Sequence, residues 1–94
     1  MNISELLESY AQNSAKVILD KQILQLDKIE REFNVNIERI GFDAAMRIAQ
    51  HKLEQMPDMQ WMYNSVKDAP PVAKSLSMFK SKLTALQQRF KSGI

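Results

Sequence analysis

Hydrophobic residues recur with a helical period along most of this chain. The clearest run lies towards the C-terminus, where Val72, Leu76, Phe79, Leu83, Leu86 and Phe90 follow one another at spacings of 4, 3, 4, 3 and 4. This is a heptad seam, the pattern of a helix that lies along another helix. Pro71 suits its first position, because proline lacks the amide proton that the first helical turn leaves unpaired. Gly93 suits its C-terminal stop. Ala69-Pro70-Pro71 predicts a stiff, extended connection before it.

A second helix is predicted from Asp43 to about Gln55, with Phe42, Ala45, Met46, Ala49, Leu53 and Met56 on one face. Ile37 and Ile40 could extend it backward past Gly41. Met56-Pro57-Asp58 stops it, since proline disfavours helix in the residue before it. Asp58 can cap a short third helix running to about Lys67, whose face is Met59, Met62, Tyr63 and Val66. At about 100° per residue, Trp61 points about 150° away from that face.

The first helix is predicted to begin near Asn2 or Ser4, with Asn2 and Glu5 at capping-box spacing, and to run to Phe33. Ile3, Leu7, Tyr10 and Val17 mark one stripe; Leu19, Ile23, Leu26 and Phe33 mark a rotated one, with polar Gln12, Asn13 and Ser14 between them. One long helix is expected across that shift, in preference to a break at Asn13-Ser14 into a short and a longer helix. Asn34-Val35-Asn36 is the expected interruption, because asparagine side chains compete with the helical backbone for hydrogen bonds.

The expected fold is all-α: a single domain over residues 1–94, an antiparallel bundle of a long first helix, a second helix, a short third and a long basic last helix. The first and last helices would measure about 45 and 30 Å. The longer one should therefore project beyond the bundle, or hand its stripe of Ile3, Leu6, Leu7 and Tyr10 to a second subunit or another protein.

Composition agrees with a folded helical domain: 45% of residues are hydrophobic and 26% charged, with two glycines and three prolines. There is no cysteine, which excludes disulfides and thiolate metal sites. No secretory leader pattern and no apolar run of membrane-spanning length is visible, so the chain is read as cytoplasmic. The net charge of +2 conceals an asymmetry. Residues 1–70 carry eight basic against eleven acidic side chains, whereas Lys74, Lys80, Lys82, Arg89 and Lys91 face no acid in residues 71–94. Those cations either meet an acidic partner or are neutralised within the bundle or by a dimer mate, with Asp27, Glu30, Glu32 and Glu38 as candidate neighbours.

Catalytic chemistry has few candidates. His51 is the one histidine and sits opposite the apolar face of its helix. No phosphate-binding loop, dinucleotide-binding glycine pattern or metal-ligand spacing occurs, so neither an enzyme nor a cofactor is expected. The expected function is a small protein-interaction module, an adaptor, inhibitor or assembly factor that binds a larger protein stoichiometrically, with a homodimer as a further form. Trp61, Met62 and Tyr63 are the candidate apolar anchors, since aromatic residues and methionine are enriched at interfaces. Packing in the core is the competing role for Met62 and Tyr63, and burial under the Pro70-Pro71 connection or the first helix is the equal competing role for Trp61. Pro70 and Pro71 could offer a preorganised extended strand, or serve only as a rigid connection. Lys80, Lys82 and Arg89, which flank the last seam, would steer the encounter. The alternative is a basic accessory protein that binds nucleic acid, although the last helix has no free aromatic for base stacking. A regular heptad suits another helix better than a membrane surface.

Overall fold

The computed structural model describes residues 2–92 and contains four helices: α1 Ile3–Ile40, α2 Phe42–Gln55, α3 Gln60–Tyr63 and α4 Pro70–Ser92. The stop expected at Gly93 lies outside the described residues. The molecule extends 56 × 19 × 17 Å, and its long axis is α1 itself, 38 residues long. The radius of gyration is 16.2 Å, against roughly 12 Å for a compact domain of this length.

Asn2 opens α1 with a capping box. Its Oδ1 accepts from the Glu5 amide at 2.8 Å, while the Glu5 carboxylate accepts from the Asn2 amide. The helix then continues through Asn34-Val35-Asn36, where an interruption was expected, so Ile37 and Ile40 belong to α1 and not to α2. Two asparagines cost a helix only a few tenths of a kcal/mol each. Buried Phe33 and Ile37, which packs on the same cluster, outweigh that. The turn is made instead at Gly41, whose φ of 88° and ψ of 165° fall in a region essentially restricted to glycine.

Consecutive long helices run antiparallel. Phe33 meets Phe42 and Gln22 meets Pro57 across α1 and α2. Phe33 meets Phe90, Asp27 meets Lys82 and Asp20 meets Ser75 across α1 and α4, so those two helices are parallel. Both α2 and α4 pack chiefly on α1, which serves as a spine.

Two apolar clusters are strung along it. The first joins Ile29 and Phe33 to Ala45, Ala49, Leu86 and Phe90. At its centre the Phe33 ring stands edge-on to Phe42 at 5.8 Å and to Phe90 at 5.2 Å between centroids, the arrangement the ring quadrupole favours. The second joins Ala15 and Leu19 to Tyr63, Val66 and Val72. The small residues Ala45 and Ala49 let α2 approach α1 closely, as both are almost fully buried.

The connection between α2 and α4 differs from its sequence reading in two ways. Only Gln60–Tyr63 is α-helical; hydrogen-bonded turns from Val66 to Tyr63 and from Ala69 to Val66 replace a helix to Lys67. Burial of Tyr63 and Val66 against α1 holds those turns. Asp58 lies one residue before the N-cap position and accepts instead from the Gln60 amide at 3.0 Å. Secondly, α4 begins at Pro70, so the two prolines form its first turn and are not an extended segment. Neither has an amide proton to leave unpaired there, and the first backbone bond runs from Ala73 to the Ala69 carbonyl at 2.8 Å.

Candidate protein-interaction surface

Trp61 is the most exposed aromatic of the connection, with 74% of its surface accessible. Its neighbours do the opposite: Tyr63 and Val66 are buried, and Met59 and Ala69 pack beside them. The same short segment is thus anchored on one side and presents an indole on the other. Met62 is half-buried. Tyr63 is a core residue, and burial, aided by the nearby charge of Asp58, pushes its phenol above the ordinary tyrosine range. Of the three candidate anchors, Trp61 alone is largely open to solvent.

Pro70 and Pro71 are exposed, but on a helix. An aromatic groove that reads polyproline geometry requires extended backbone, which this pair does not offer.

The five cations of α4 are dispersed. Lys82 donates from Nζ to Asp27 Oδ1 at 2.7 Å, and this bond, reinforced by the charges of Asp27 and Glu30, raises its pKa. The Arg89 guanidinium lies 4.9 Å from the Phe33 ring centroid, a cation–π contact. Both side chains therefore close the α1–α4 seam. Lys74, Lys80 and Lys91 remain exposed. His51 is exposed on α2. Among the described residues, no three His, Asp or Glu side chains are grouped so as to hold a metal ion, and no helix is long and apolar enough to cross a membrane.

The stripe expected to lie at the N-terminal end of α1 is exposed. Ile3, Leu6, Leu7 and Tyr10 all project into solvent, and the first buried residue of the helix is Ala15. Residues 3–10 thus form an overhang about 12 Å long. The same outward face continues to Val17 and Leu24. Leu24 escaped the sequence reading, although it stands seven residues after Val17, as Val17 does after Tyr10. Beside it a groove of about 410 Å³ is floored by Ile18, Leu24, Pro57 and Met59, with Lys21 and Gln25 on its rim. That groove depends on the fold, because it forms where Pro57 is brought back to α1 and its carbonyl accepts from Gln22.

No protein-family model, curated protein or solved structure matches the chain. The fold is that of a small all-α bundle, and its function has to be reasoned from its own surface.

Proposed function

We propose that the protein is a stoichiometric helical binding module, acting as an adaptor, inhibitor or assembly factor on a larger protein, with Trp61 as its principal anchor. The observation that carries this reading is the pairing of exposure and anchoring in one turn. An indole presented by a segment already packed through Tyr63 and Val66 loses little freedom on binding, and preorganisation of that kind raises affinity. Large aromatic side chains dominate interface energetics. Met62 borders the anchor, and the exposed Lys74, Lys80 and Lys91 of the acid-free α4 would speed the encounter with an acidic partner. The nucleic-acid alternative loses ground because Lys82 and Arg89 are turned towards α1.

The test is affinity capture from native lysate, with and without nuclease, comparing the native chain with Trp61→Ala. One protein recovered in stoichiometric amount, resistant to nuclease and lost with the variant, supports the reading. Retention of that protein by the variant overturns it. So does recovery of nucleic acid alone, with binding that falls log-linearly with salt as counterion release requires.

A further inference from the structure

The outward strip of α1 is ordered. Ile3, Tyr10, Val17 and Leu24 stand at intervals of seven, with Leu7 beside them, and each is more than half exposed. At about 100° per residue they share one strip on the side of α1 opposite Leu19 and Phe33. A seven-residue repeat is what a second helix lying alongside reads.

The strip is also nearly symmetric about its own midpoint. Ile3 and Leu24 lie equally far from the Asn13–Ser14 bond, and so do Tyr10 and Val17. A twofold rotation that turns α1 end for end therefore lays Ile3 on Leu24 and Tyr10 on Val17. Shape follows the same symmetry. The overhang projects Ile3, Leu6, Leu7 and Tyr10 at i, i+3, i+4 and i+7, the anchors of a helix seated in a groove. The groove at Ile18, Leu24, Pro57 and Met59 opens on the same side of α1, about as far beyond the midpoint.

Charge agrees. Residues 2–15 contain no base, while Lys21 and Lys28 lie along the strip, Lys21 beside the groove. An antiparallel pairing sets the lysine-bearing stretch of one helix against the base-free end of the other, Lys21 opposite Leu6. A parallel pairing would instead stack Lys21 on Lys21 and Lys28 on Lys28, a repulsion within the seam.

We propose that the chain forms a twofold-symmetric dimer by antiparallel packing of two α1 helices, the overhang of each protomer seated in the groove of its partner. Such an interface is isologous and closes on itself. It uses none of Trp61, Pro70, Pro71 or the lysines of α4, so the dimer and the binding reading stand or fall separately.

Sedimentation of the native chain should give a mass that rises to twice the monomer's with concentration. Tyr10→Glu and Leu24→Glu should each return it to the monomer with helix content unchanged, whereas Trp61→Ala should leave the dimer intact. The absence of cysteine allows a geometric check. Under mild oxidation Ser14→Cys should cross-link to its own copy near the axis. Leu24→Cys alone should not, and the double variant Ile3→Cys with Leu24→Cys should. A monomer at every attainable concentration overturns the proposal. So does a dimer that survives both Glu variants, or one cross-linked by Leu24→Cys alone, which is the mark of parallel packing.

Discussion

Gln22, buried on α1, donates from Nε2 to the carbonyl oxygen of Pro57 at 2.9 Å across 35 residues of sequence. The bond fastens the exit of α2 to the spine just where a proline has ended that helix. Gln22→Ala removes the bond and leaves a small void, and should lower stability by about 1–2 kcal/mol. Gln22→Met keeps most of the volume and should cost about 1 kcal/mol. Urea midpoints of the two variants separate hydrogen bonding from packing.

Phe33 touches both helices that lean on α1 and also carries the Arg89 cation. Phe33→Ala should cost about 3–5 kcal/mol, a large share of the 5–15 kcal/mol that small domains possess. Phe33→Leu should cost less but still loosen α2 and α4 together. Thermal unfolding monitored by far-ultraviolet circular dichroism should show one transition at a lower temperature. Two separate transitions would mean that α2 and α4 do not depend on this ring in common.

Gly41→Ala isolates backbone conformation. A Cβ added there meets nothing within 4 Å, so no clash contributes, and the expected loss of about 1–3 kcal/mol is conformational alone. Gly41→Asn should not recover it, because asparagine tolerates the left-handed helical region and a ψ of 165° lies outside that region. Denaturation of the two variants with matched slopes would confirm the assignment.

Stability should decline at both ends of the pH scale. Asp20 is held below its ordinary pKa first by its hydrogen bond from Lys16, with help from Ser75. Glu32 is held down chiefly by its ion pair with Lys52. A carboxylate with a lowered folded pKa contributes above about pH 4 and loses that contribution as pH falls through the folded value. Lys82, raised by Asp27, and Tyr63, raised by burial, behave inversely. Their contributions are complete below about pH 10 and vanish as pH climbs through the folded values. The ion pairs are exposed, so their share of each limb is small and salt-sensitive. Tyr63→Phe should flatten the alkaline limb more than Asp27→Asn, as read from urea midpoints across the range.

Much of this architecture was legible along the chain. The heptad from Val72 to Phe90 and the face from Phe42 to Met56 pack as their spacing predicts, because periodic burial overrides local preference. Trp61 stands off the apolar face of its segment, and the structure leaves it in solvent. The end of α1 was misplaced because Asn34 and Asn36 are weak helix formers locally, while the contact that overrules them comes from Phe42 and Phe90. The prolines misled in the same way, since their rigid φ serves an extended strand and a first helical turn equally well. The groove beside Leu24 could not be read at all, for it exists only once Pro57 has been carried back to Gln22.

The dependence of α2 and α4 on a shared spine also orders the making of the protein. A chain synthesised from its N-terminus completes α1 and α2 as a local hairpin about Gly41. The bond from Ser75 to Asp20 and that from Lys82 to Asp27 each wait for 55 further residues. Until α4 has been made, Leu19 lacks Val72, and Phe33 lacks Phe90. The nascent hairpin therefore carries a greasy flank for the whole of that interval, and the risk of mispairing during synthesis is concentrated there.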